Sequence, residues 1–128
     1  MSERATVLVV DDTEAVRWAV ERALSRSGYR VLTACSGEDA LSVCDRELGA
    51  ITLFLVDLTL PGMSGLELIE ELRVRRPKTA VLAMSGNDRE SMEGTGVAFI
   101  QKPFGVTDLL ARIRDTLLPG NSGHSIAG

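Results

Sequence analysis

The chain has 128 residues, 45% hydrophobic and 25% charged, a size and composition that predict one globular domain with a buried core and no room for a second. Its formal net charge of -4 opposes a polyphosphate backbone, and Lys and Arg form no run, so direct nucleic-acid binding is not expected. The longest apolar run, around Leu53 to Val56, falls far short of the roughly 18 to 20 residues of a membrane span, and Met1 opens no charged leader, so a soluble cytoplasmic protein is expected.

Along the chain, short β-branched runs alternate with segments of helical period, five strand-and-helix units in all, which predicts an α/β fold with a parallel sheet. The first strand is Ala5 to Val10. The helix after it carries Val16, Ala19, Val20, Ala23 and Leu24 as a stripe toward the sheet, and Gly28 supplies a left-handed stop. Arg30 to Ala34 reads as the second strand. Ser36 and Asp39 form a capping-box pattern that opens a second helix running to about Leu48. Ile51 to Asp57 is apolar on both faces, as expected of a central strand covered by helices on both sides. Ser64 and Glu67 repeat the capping box before Leu66, Ile69 and Leu72, and Pro77 ends that third helix. Ala80 to Met84 and Ala98 to Gln101 are the last two strands. Between them, residues 87–96 hold only Met92 as a sizeable apolar residue, so the fourth helix is expected to be shortened to one or two turns. The final helix carries Leu110, Ile113 and Leu117 up to Pro119; residues 1–118 form the expected domain, and 119–128 a disordered tail. Cys35 and Cys44 lack CxxC spacing and are expected to be free thiols with packing roles.

Polar residues recur where strands end. Asp11 and Asp12 follow the first strand, Asp57 closes the third, Ser85 the fourth and Lys102 the fifth. In an open parallel sheet these carboxyl ends share one rim, where ligands bind. Three carboxylates gathered there repel one another and raise each other's pKa unless a cation lies between them. A hard divalent cation suits that oxygen donor set, and Mg²⁺ commonly completes its shell with phosphoryl oxygens. Lys102 adds a second positive charge. The combination suits phosphoryl transfer, in which a carboxylate can serve as nucleophile.

The motifs VLVVDD at Val7 to Asp12, LVDLTLPGMSGLEL at Leu55 to Leu68, MSG at Met84 to Gly86 and FIQKPF at Phe99 to Phe104 together resemble the receiver domain of response regulators in two-component signalling. The resemblance covers about Thr6 to Leu118. It implies a flavodoxin-like, doubly wound five-stranded parallel sheet of order 2-1-3-4-5 with helices on both faces. It implies that Asp57 accepts a phosphoryl group as an acyl phosphate from a histidine kinase or histidine phosphotransfer domain. By the same resemblance Asp12, Asp57 and the Thr59 carbonyl bind Mg²⁺, and Asp11 acts mainly through water. Ser85 donates its hydroxyl to the phosphoryl group, Lys102 pairs with it, and Phe99 is an aromatic whose rotamer follows phosphorylation. Pro103 matches a family position whose peptide bond is often cis.

Two departures from that pattern stand out. Only 17 positions separate Ser85 from Lys102, fewer than the family usually has, which puts the usual output surface in doubt. Gly105 replaces a helix-capping hydroxyl, and Thr107 is expected to cap instead. Trp18 lies off the apolar stripe and, with Pro61, falls where the family docks its partner helices; the alternative is a ring folded over neighbouring side chains. Phe99 could equally be ordinary core. His124, the sole histidine, lies in the tail, where no donor or metal role is expected. Three other functions compete with this reading: an adaptor read in one state, a flavodoxin-like nucleotide or flavin carrier, and an independent hydrolase. The Asp11–Asp12 pair is electrostatically wrong for the anion loop of such a carrier, and no substrate pocket is suggested for a hydrolase. The sequence does not specify an oligomeric state or a cognate kinase.

Overall fold

A computed structural model describes residues 4–86 and 96–118. The strands are β1 (Thr6–Val10), β2 (Arg30–Ala34), β3 (Leu53–Asp57), β4 (Ala80–Ser85) and β5 (Ala98–Gln101). The helices are α1 (Glu14–Arg26), α2 (Gly37–Arg46), α3 (Gly65–Arg75) and α4 (Val106–Leu117). All neighbouring strands pair in parallel, in the order β2-β1-β3-β4-β5. This is the doubly wound, flavodoxin-like order expected. The shortened helix expected between the last two strands, and the tail at 119–128, lie outside the described residues.

Strand periodicity divides the core into two layers. Successive side chains point to opposite faces, so Leu8, Val10, Phe54 and Val56 meet Ala40 and Cys44 of α2 and Leu68, Ile69 and Leu72 of α3. Val7, Val9, Leu53, Leu55, Leu82 and Met84 instead meet Val20 and Leu24 of α1 and Leu109 and Ile113 of α4. Every residue of β1 and β3 is buried. Between Val7 and Val10 and between Leu53 and Val56 both strands carry only apolar side chains, so the polar groups available for chemistry lie at the strand ends.

The helical faces are narrower than the sequence stripes. In α1 the buried residues are Val20 and Leu24, while Ala19 is exposed, because the face against the sheet follows i, i+4 spacing through Val16. In α4 the fully buried residues are Leu109, Ile113 and Thr116, with Leu110 and Leu117 half-buried on its flanks. Thr107 lies inside the first turn, and Gly105 is the N-cap with no side-chain cap, so the expected shift to Thr107 does not occur. Of the two capping boxes, Ser64 and Glu67 exchange both bonds. Ser36 accepts from the Asp39 N–H, but the Asp39 carboxylate accepts from the Cys35 N–H, since its shorter side chain does not reproduce the Glu geometry. Gly28 takes the left-handed conformation that closes α1, at φ 97°. Both cysteines are free; Cys44 is core, whereas Cys35 is exposed.

α2 ends at Arg46, two residues before Leu48, and its end is capped by a neighbour. The Arg76 guanidinium, at the end of α3, donates to the carbonyls of Cys44 at 2.9 Å, Glu47 at 2.6 Å and Gly49 at 2.8 Å. Cys44 lies in the last turn of α2, where carbonyls lack an intrahelical partner, and one side chain satisfies it together with the carbonyls of the C-cap Glu47 and of Gly49 beyond it. Arg75 adds ion pairs to Asp45 and Glu71. Replacing Arg76 by Ala is expected to lower stability by about 1–3 kcal/mol, the cost of hydrogen bonds to a charged donor. Val74→Ala, at a position 79% exposed, is expected to stay within about 0.5 kcal/mol. Urea denaturation of both variants measures the contrast.

Candidate functional site

Register assembles the rim. Val10 is aligned with Val56, Val56 with Ala83 and Ala83 with Phe99, so Asp11 and Asp57 emerge side by side one position later. Asp57 is aligned with Met84, and Ser85 with Gln101, which brings Lys102 past the end of β5. The Lys102 N–H donates to the Ser85 carbonyl at 2.7 Å, extending the β4–β5 pairing to the site. The Lys102–Pro103 peptide bond is cis.

Asp11 and Asp57 are almost wholly buried, whereas Asp12 is exposed. The three carboxylates offer oxygens that lie within 4.8 Å of one another. Lys102 Nζ bridges two of them, 3.4 Å from Asp11 Oδ2 and 3.3 Å from Asp57 Oδ2. The other oxygens are held by residues of the loops that follow. Asp11 Oδ1 accepts from the Thr13 N–H at 2.9 Å, and Asp57 Oδ1 accepts from the Thr59 N–H at 3.0 Å and the Thr59 hydroxyl at 2.9 Å. Ser85 Oγ is fully buried and, among the described residues, finds no hydrogen-bond partner. An orphaned hydroxyl costs on the order of 1–3 kcal/mol, and such groups in folded proteins point to a ligand or water.

Among the described residues, one ammonium against three carboxylates leaves the rim net negative. Burial raises the Asp11 carboxyl above its ordinary value of 3.8; the Thr13 N–H opposes this, the charge of Asp57 adds to it, and Lys102 opposes it. Desolvation therefore leads, where the sequence suggested mutual repulsion. The donor set, all oxygen and anionic, is of the kind that holds a hard divalent cation.

The structure brings together Asp11, Asp12, Asp57, Thr59, Ser85 and Lys102. It leaves Phe99 half-buried against the α2–α3 layer, with its carbonyl accepting from the Arg112 guanidinium. Trp18, 59% exposed, and the exposed Pro61 make none of the rim contacts. Both alternatives for Trp18 are met in part, since the ring faces solvent and Arg22 lies over it, 5.3 Å from its centroid. Sequence reasoning did not single out Thr13, Arg17, Gly65 or Arg112. Arg17 Nη1 donates to the Asp11 carbonyl at 2.7 Å. Only its helical spacing from the loop could have flagged it.

Gly65 opens α3 directly behind the Asp57–Leu58 backbone. A Cβ there would sit 2.5 Å from Leu58 Cα and 3.0 Å from the Asp57 carbonyl. Gly65→Ala must push the helix off the strand end and is expected to cost about 1–3 kcal/mol by overpacking, read as a lower urea midpoint. Asp11 gives a pH-dependent expectation. Its folded carboxyl holds a proton to higher pH than the unfolded chain, so its contribution is complete below about pH 3.8 and is lost as pH rises through the folded value. In metal-free buffer, Asp11→Asn should therefore be more stable than the wild type at pH 7, with the gap closing toward pH 4. Equal urea midpoints at pH 7 would contradict the assignment.

The family model for the response regulator receiver domain matches residues 7–114. The chain is 32% identical over 120 residues to the uncharacterized transcriptional regulatory protein YkoG of Bacillus subtilis, covering 90% of this chain and 52% of that protein. It is 33% identical over 122 residues to the sensor kinase CckA of Brucella abortus, covering 91% of this chain but 13% of the kinase. The chain thus spans about half or less of the length of these curated relatives. Among solved structures, a CheY-like receiver domain protein from Methanospirillum hungatei superposes with a TM-score of 0.81 at 29% identity, covering 90% of this chain and 94% of that one. The receiver domain of the hybrid histidine kinase CckA gives 0.77 at 32% identity, covering 89% and 100%. With this sheet order and this rim, the chain belongs to the response regulator receiver domain family of two-component signalling.

Proposed function

We propose that this chain is a phosphoacceptor: Asp57 takes a phosphoryl group from a phosphohistidine on a histidine kinase or histidine phosphotransfer domain, in a step that requires Mg²⁺. The observation that carries the reading is the convergence of three strand-end carboxylates, one ammonium bridging two of them and one buried hydroxyl that has no partner among the described residues. A carboxylate oxygen of Asp57 attacks phosphorus in line as the phosphorus–nitrogen bond of the donor breaks. The electron pair stays on the imidazole nitrogen, which takes a proton from solvent, and an acyl phosphate results.

Each residue of the rim has a part in that step. Thr59, through its N–H and hydroxyl, holds Asp57 Oδ1 and so orients the nucleophile. Lys102 is positioned to exchange its bond with Asp57 Oδ2 for one to a phosphoryl oxygen. The Ser85 hydroxyl would find in another phosphoryl oxygen the acceptor it lacks. Asp12, Asp57 and the Thr59 carbonyl would hold Mg²⁺, with Asp11 acting through water. The ion would supply charge neutralisation at the phosphoryl oxygens, where preorganised positive charge does most of the catalysis.

The receiver is a signalling domain, and its output follows from a local change in charge biasing a packed element. Phe99 is a fit candidate for that element, half-buried on an edge strand one row below Asp57. Trp18 and Pro61, exposed, suit a partner's helices. No helix among the described residues is long and apolar enough to cross a membrane.

Incubation with acetyl phosphate, followed by intact mass, tests the reading. One phosphoryl group should be gained with Mg²⁺, and none with chelator or in Asp57→Asn. Ser85→Ala and Lys102→Met should remain folded and be phosphorylated more slowly, by roughly a hundredfold for loss of an aimed donor. No gain in the wild type with Mg²⁺ would favour an adaptor read in one state.

A further inference from the structure

The members of the acidic cluster are not held alike. The carboxylate of Asp11 is fixed by the Thr13 N–H and Lys102, and that of Asp57 by Thr59 and Lys102. Asp12 is exposed, and among the described residues no hydrogen bond reaches its carboxylate. What holds Asp12 is the backbone before it. The Asp11 N–H donates to the Ala34 carbonyl at 3.2 Å, and the Asp11 carbonyl, which belongs to the peptide joining Asp11 to Asp12, accepts from Arg17 Nη1 at 2.7 Å. The Arg17 N–H donates to the Thr13 carbonyl at 2.9 Å, so its guanidinium folds back over the first turn of α1 onto the loop that turn grows from.

Resting on the reading that Mg²⁺ binds at this rim, we propose that Arg17 is a positioning residue for the divalent cation. Its charge-assisted bond to the Asp11 carbonyl fixes the peptide plane from which Asp12 projects. A charged donor makes that bond one of the stronger ones available to a carbonyl. The Asp12 carboxylate thereby starts from a fixed root and meets the ion without rearrangement of the β1–α1 loop.

Position and charge have opposite signs here, which makes the proposal decidable. A guanidinium beside a cation site, acting by charge alone, weakens Mg²⁺ binding; acting by position, it strengthens it. Titration calorimetry of Mg²⁺ into the wild-type chain, Arg17→Met, Arg17→Gln and Arg17→Lys separates the two, with metal-free melting recorded for each. Met and Gln are good helix formers, and neither reaches the carbonyl with a charged donor. Both should lose roughly tenfold in Mg²⁺ affinity, the usual scale for removing a group that orients a ligand. Lys keeps the charge and a donor of similar reach and should recover most of it. Metal-free melting should be nearly the same in all four.

Unchanged or tighter Mg²⁺ binding in either folded neutral variant would overturn the proposal, as would a loss that Lys fails to recover and that tracks metal-free melting. A wild-type chain that binds no Mg²⁺ would overturn the cation reading and this inference with it. A wild type that binds Mg²⁺ but gains no phosphoryl group would leave the Arg17 assignment standing and sink the acceptor reading alone.

Discussion

The interaction on which the rest depends is the contact of the Lys102 ammonium with two buried carboxylates, Asp11 and Asp57. Buried charges of like sign are tolerated only when paired and hydrogen-bonded. Here the pairing is incomplete by design of the register: one cation serves two buried acids, with a third exposed beside them. The strand ends are thus poised electrostatically for a further cation, and Asp11, kept above its ordinary pKa chiefly by burial, records the strain. The Ser85 hydroxyl, without a hydrogen-bond partner among the described residues, is a second group that a ligand could satisfy. A divalent ion and a phosphoryl group together would relieve both.

That balance depends on rigid placement, which the fold supplies. Four strands carry the rim residues to their ends in register, and the strands beneath Asp11 and Asp57 are buried at every position. Backbone groups then tie the loops: Thr13 to Asp11, Thr59 to Asp57, Arg17 to the peptide before Asp12. Gly65 lets α3 start against the Asp57–Leu58 backbone, where a methyl group has no space. The two apolar layers set the sheet, the sheet sets the row of strand ends, and the row decides which charges meet.

Much of this was legible in the sequence because it is carried by period and punctuation. Alternation of apolar runs and helical stripes specified the five strands and the four helices of the described residues, and the capping box at Ser64 fixed the start of α3 to the residue. The polar strand ends announced the rim. Less legible were features set by tertiary partners. α2 stops short of Leu48 because Arg76, thirty residues downstream of its end, takes its last carbonyls. The buried face of α4 runs through Leu109, Ile113 and Thr116, a face rotated from the Leu110–Leu117 stripe, because packing against Leu82, Met84 and Ile100 of β4 and β5 chooses between them. Arg17 escaped notice because an arginine on an exposed helix turn reads as solvated until its carbonyl partner is seen.

The central claim is that the folded rim of Asp11, Asp12 and Asp57 binds one divalent cation. Its most direct test is the urea midpoint of the wild-type chain at pH 7 across a Mg²⁺ titration from chelator upward. A cation bound by the folded rim and not by the unfolded chain raises stability in proportion to the logarithm of its concentration above the dissociation constant. The account predicts that rise. A midpoint that stays constant across the millimolar range would contradict it.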